Sequence, residues 1–171
     1  MKIGLLDVDG HNFPNIALMK ISAWHKQRGD EVGFASSLFG SYDILYKSKV
    51  FTFTPDNIDC FNADEIIRGG TGYDVKTVLP EYIENICPDY TLYNCEYAYG
   101  FLTRGCIRKC EWCLVPEKEG QIRPAADIQD FIADKKSAIL MDNNVLASEH
   151  GLSQIEKIID LKIKVDFNQG L

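Results

Sequence analysis

The chain has 171 residues, with 18 Lys and Arg against 25 Asp and Glu, a net charge of −7 and a pI near 4.9. A nucleic-acid binder clusters its cations to neutralise phosphates, whereas the basic residues here are scattered among carboxylates, so no nucleic-acid patch is expected. At 46% hydrophobic, 25% charged and 11% aromatic residues, the composition is that of one ordinary folded domain or two small ones, not of a disordered chain.

Residues 2–8, KIGLLDV, form a short apolar run suited to a strand buried on both faces, and the chain turns after it at DGHNFPN. From Asn15 to Arg28 the apolar residues Ile16, Met19, Ala23 and Trp24 recur at helical steps, with Gly29 as the stop. EVGFAS at 31–36 is the next strand candidate, which makes a parallel βαβ unit. A further apolar stretch from Tyr42 to Phe53, then Ile66 and Ile67 leading into GGTGY at 69–73, extends the same α/β layer. LPEYIENICPDY begins as helix and is broken by Pro88, where the domain boundary is placed. The expected division is 1–90 and 91–171.

In the second part, the aromatic-rich segment Tyr90–Thr103 reads as one or two strands. A helix at Ile128–Asp134, a strand SAILMDN, a helix at Ser153–Leu161 and a strand KIKVDF follow. An alternating α/β fold would cover that last strand with a further helix, so the chain is expected to be a piece of a longer protein. No apolar run approaches the roughly 18 residues of a membrane span. The opening MKIGLLDVDG carries acids where a signal peptide needs its apolar stretch, so the expected address is the cytoplasm, with no membrane partner.

The sharpest signal is the run Gly105-Cys106-Ile107-Arg108-Lys109-Cys110-Glu111-Trp112-Cys113. Three thiols at four- and three-residue intervals can turn inward around one soft metal, with Gly105 permitting close backbone approach. A zinc site would need a fourth ligand, such as Cys95 or His150, and would make the segment a metal-stabilised binding module without redox chemistry. A four-iron cluster on three cysteines keeps one iron free. The flanking cations lower the thiol pKa and favour either metal. Cys60, Cys87 and Cys95 lack ligand spacing and read as small buried apolar residues.

These residues resemble the radical S-adenosylmethionine superfamily: a strand, three cysteines spaced as in CIRKCEWC, and an aromatic residue, Trp112, just before the third. Thr103-Arg104-Gly105 upstream and Leu114–Arg123 downstream are similar to the methylthiotransferase-like branches. The resemblance implies an enzyme in which Cys106, Cys110 and Cys113 hold a [4Fe-4S] cluster whose free iron chelates S-adenosylmethionine. Reductive cleavage of S-adenosylmethionine to a 5′-deoxyadenosyl radical then starts chemistry on an unknown substrate, with methylation or methylthiolation among the outcomes. It also implies an electron donor such as flavodoxin or ferredoxin. Trp112 is expected beside the adenine. Asp142 and Asn143 stand where the family has a GGE-like contact to the methionyl amino group, and the alternative is that they turn the chain and cap a helix. Glu119 and Arg123 either meet the cosubstrate carboxylate or form a solvated surface pair.

The first ninety residues resemble the cobalamin-binding-like, Rossmann-like domain that often precedes such a barrel, on the opening strand, on FPNIALMKISAWHKQRGDEV and on Gly69-Gly70. The implied fold class is α/β, a Rossmann-like parallel-sheet domain followed by the first part of a (β/α) partial barrel. Cobalamin itself stays open. Asp9-Gly10-His11 matches the start of an Asp-x-His-x-x-Gly pattern, but Pro14 stands where the glycine belongs, and the alternative is a loop histidine near Asp7 and Asp9. GGTGY approaches a nucleotide or simply turns the chain, and His25 is expected to be solvated.

Overall fold

The computed structural model describes residues 1–10, 13–38, 40–56 and 60–168. The chain divides into two compact units, Met1–Tyr93 and Asn94–Leu171. Both are α/β with parallel sheets. Among the described residues no helix is long and apolar enough to cross a membrane.

The first unit is built on four parallel strands, β1 (Lys2–Asp7), β2 (Glu31–Phe34), β3 (Ser41–Ser48) and β4 (Asn62–Gly69), in the order β2-β1-β3-β4. The segment expected to be helical forms α1 (Ile16–Gln27). Asn15 caps it, its side-chain oxygen accepting from Leu18 N at 3.2 Å, and Gly29 leaves it at φ +81°, a conformation that costs glycine little. Ile3 and Leu5 of β1 pack against Leu18 and Ile21 of α1, joined by Ile83 of the short α2 (Glu81–Glu84). Burying each such side chain stabilises by roughly 1.5–3 kcal/mol, and this contact sets α1 on one face of the sheet. On the face where Gly4 projects, the Tyr42 ring and Leu45 lie so close that a Cβ at Gly4 would meet them at 2.9–3.0 Å.

Only the β1-α1-β2 crossover is helical as expected. The β2–β3 connection spans residues 35–40, and β3 and β4 are joined without a helix among the described residues. A six-residue link suffices because β2 is only four residues long and the chain reaches about 3.3 Å or more per residue. The strand read from Tyr42 to Phe53 ends at Ser48; beyond it Phe51 and Phe53 stack on each other at 5.2 Å, largely exposed.

Two expectations, for His25 and for the isolated cysteines, are corrected, and the glycine cluster follows the second of its two readings. His25 is buried at 2% exposure instead of solvated: Nδ1 lies 2.7 Å from Asp30 Oδ2 and Nε2 lies 3.1 Å from Tyr46 Oη, and this pairing makes the burial affordable. Cys60 is exposed, and Cys87 and Cys95 are only partly buried. The GGTGY glycines serve chain packing: Gly70 sits at φ +95° and Gly72 N donates to Lys49 O at 2.9 Å, so the close approach is to this protein's own backbone. His11 lies outside the described residues.

The second unit has a three-stranded parallel sheet, β5 (Ala98–Gly100), β8 (Ser137–Leu140) and β9 (Lys164–Phe167), in the order β5-β8-β9. Between β5 and β8 the chain forms the two-stranded β6 (Thr103–Arg104) with β7 (Arg123–Pro124), the short α3 (Val115–Lys118) and then α4 (Ile128–Ile132); α5 (Glu149–Asp160) joins β8 to β9. Strands that add one after another to the same edge, with a helix in each crossover, are how the wall of a (β/α) barrel is wound. Helix α5 begins four residues earlier than expected. Ser148 caps it, and Gly151 is required because a Cβ there would fall 2.1 Å from Val145 O.

Candidate metal centre

Asp142, just past the end of β8, is fully buried. Its carboxylate accepts from Leu102 N at 3.2 Å, from Thr103 N at 2.6 Å and from Thr103 Oγ1 at 2.7 Å. An ion buried so deeply is stable only with such charge-assisted bonds. They tie the segment that follows β5 to the segment that follows β8, at the carboxyl ends of adjacent parallel strands, where barrels of this winding place their chemistry.

From there the cysteine loop leaves and returns through the β6–β7 pair, Thr103 opposite Pro124 and Arg104 opposite Arg123. Gly105 starts the loop at φ +82°, and a Cβ on it would lie 2.3 Å from Gln121 O, so no other residue fits without moving the backbone. Cys106 N donates to Gly120 O at 3.2 Å and closes the base.

Glu119 organises that base. Oε1 pairs with Arg104 Nη1 at 2.9 Å, and Oε2 accepts from Gly105 N and from Asn143 Nδ2, both at 2.9 Å. The solvated Glu119–Arg123 pair weighed from sequence is replaced: Glu119 pairs with Arg104, and Arg123 Nη1 donates to the Glu119 carbonyl at 2.5 Å. Arg104 also lies over the Phe101 ring, 3.3 Å from its centroid. Next to Glu119, burial pushes the Lys118 ammonium down from its ordinary value.

The three thiols differ in setting. Cys106 Sγ accepts from Arg108 N at 3.4 Å and has Asn144 Nδ2 at 3.8 Å. Cys110 and Cys113 are exposed, linked only through Cys113 N to Cys110 O at 3.1 Å, and Trp112 is 90% exposed. Among the described residues no group of three or more His, Cys, Asp or Glu side chains is gathered tightly enough to hold a metal ion. The donor set nevertheless fits a soft metal: three thiols on one loop, the first supported by N–H donors and the other two open to solvent. His150, the histidine that a zinc site would recruit, has Nε2 on Ala126 O at 3.1 Å.

Sequence reasoning missed the pairing of Arg104 with Glu119, the contact of Asn144 with Cys106 and the bracing role of Glu119. All three depend on the β6–β7 pairing or on the β8 terminus, which bring together positions far apart in the chain. No family model, curated protein or solved structure matches this chain.

Proposed function

We propose that this chain carries the cofactor-binding end of a radical S-adenosylmethionine enzyme, with Cys106, Cys110 and Cys113 holding a [4Fe-4S] cluster. The observation that carries this reading is the three-thiol loop itself, projected from the carboxyl end of β5 on a base braced by Glu119, Arg104 and Asp142. The bound cluster would supply low-potential electrons and one open coordination position for S-adenosylmethionine.

Within this reading each residue has a defined task. Cys106 is already oriented by Arg108 N and Asn144, and exposed Cys110 and Cys113 would join it in holding the cluster. Trp112, exposed until then, would cover the adenine and shield it from water. Asn143, whose amide nitrogen is held by Glu119, would offer its amide oxygen to the cosubstrate, whereas Asp142, whose oxygens are engaged with Leu102 and Thr103, positions the strand ends. Substrate, electron donor such as flavodoxin or ferredoxin, and any cobalamin on the first unit belong to the same proposal.

The test uses the protein reconstituted anaerobically with iron and sulfide and then reduced. Adding S-adenosylmethionine should change the electron paramagnetic resonance spectrum of the cluster, and Trp112→Ala should weaken that response severalfold without removing the cluster. A spectrum indifferent to S-adenosylmethionine would overturn the assignment of the cosubstrate.

A further inference from the structure

Strand β4 closes one side of the first sheet, pairing with β3 and with no other strand among the described residues. It is eight residues long, and its side chains are exposed along almost its whole length, including Ile66 at 39% and Ile67 at 36%. A long exposed edge is a template for another strand, and proteins that stay monomeric blunt it with a short strand, a proline or a bulge. NADEIIRG has no proline and no bulge, β4 stays in uninterrupted register with β3 from Ile44↔Glu65 to Ser48↔Gly69, and the charges Asp64, Glu65 and Arg68 are its one device against unselective pairing.

The charges on β4 select what can add there. Two copies of one strand meeting edge to edge about a two-fold axis run antiparallel, with the axis perpendicular to the sheet. Residues directly opposite must then lie on the same face, so one residue of the strand faces its own copy. Centring the axis on Asp64, Glu65 or Arg68 sets like charges directly against each other. Centring it on Ile67 leaves Arg68 opposite Ile66 and Glu65 opposite Gly69. Centring it on Ile66 sets Ile66 against Ile66, Asp64 against Arg68 twice, Glu65 against Ile67 twice and small Ala63 against Gly69, and of these centres it alone sets opposite charges directly against each other.

We propose that the outer edge of β4 is a self-association surface, on which β4 of a second copy adds antiparallel about a two-fold axis at Ile66 and joins two four-stranded sheets into one. Main-chain hydrogen bonds give the attraction, and the reciprocal Asp64–Arg68 pairs fix the register. Two bodies of charge −7 repel, but at about 0.1 M salt charges more than roughly 10 Å apart are screened, while side chains facing across a ladder are not.

Sedimentation of the full chain in reductant at tens of micromolar tests this, since reductant removes disulfide-linked species. The expected mass is twice 19.3 kDa. Asp64→Arg or Arg68→Asp alone should weaken association by about tenfold or more, each setting like charges in opposition, and the two together should restore it. Both residues are exposed, so folding, checked by circular dichroism, is expected to be unchanged. A monomeric parent protein, a dimer indifferent to the single reversals, or a double variant that stays monomeric would each overturn the proposal.

Discussion

His25 shows how a polar side chain can be buried within a Rossmann-like unit. Asp30 accepts from Nδ1, and Tyr46 meets Nε2, so both ring nitrogens are engaged. His25→Ala removes both bonds and opens a cavity, and a loss of about 2–4 kcal/mol is expected in urea denaturation. The hydrogen bond from His25, helped by the terminal ammonium, holds the Asp30 carboxyl below its ordinary value of 3.8. A depressed carboxyl stabilises the fold above its unfolded value, and that contribution is lost as pH falls from about 4 through the lower folded value, so acid should erode the parent protein more than Asp30→Asn.

Gly105 carries the sharper prediction. A side chain there meets the Gln121 carbonyl at 2.3 Å in a conformation that disfavours one, so Gly105→Ala should abolish cluster incorporation while leaving far-ultraviolet dichroism unchanged. At this scale the three-thiol loop was legible because the spacing of the cysteines is local. The environment of His25 was not, since it is closed by Asp30 in the turn before β2 and by Tyr46 in β3, which only folding brings over α1.

Among the elements, α4 and α5 share one device. Asp127 caps α4 in a capping box with Asp130 and also accepts from Gln154 at 3.0 Å and from Lys157, both on α5. Burial pushes the Asp127 carboxyl up, but the bonds from Lys157, Gln129 N and Gln154 outweigh it and hold it at about 2. Its contribution is therefore complete above pH 4 and lost as pH falls through about 2. Asp127→Ala should cost about 1–2 kcal/mol at neutral pH, and Lys157→Met should raise the carboxyl value seen by nuclear magnetic resonance titration.

Interior strands such as β1 and β8 were legible as apolar runs because both faces are covered. Of β4 only Ile66 and Ile67 were legible, for an edge strand carrying Asp64, Glu65 and Arg68 on exposed faces has no longer apolar run to display. The α5 start was missed by four residues, because the glycine inside its first turn is there for the close approach of Val145.

At the scale of the molecule, two α/β units each place their parallel strands in a common direction. In the second, a buried aspartate and a braced loop converge on the carboxyl ends of β5 and β8. Repeated strand and helix patterns made the α/β class readable from the sequence, and the cysteine spacing made the loop readable. The base of the loop was hidden, because the contacts of Glu119 with Arg104 and Asn143 join residues that only folding brings together.

The central claim is that three thiolates on this base hold an iron–sulfur cluster, and iron and acid-labile sulfide counted per chain after anaerobic reconstitution test it most directly. About four of each per chain are expected, falling to near none in Cys110→Ala. Stoichiometric zinc with no retained iron, or iron retained equally by the Cys110→Ala variant, would contradict it.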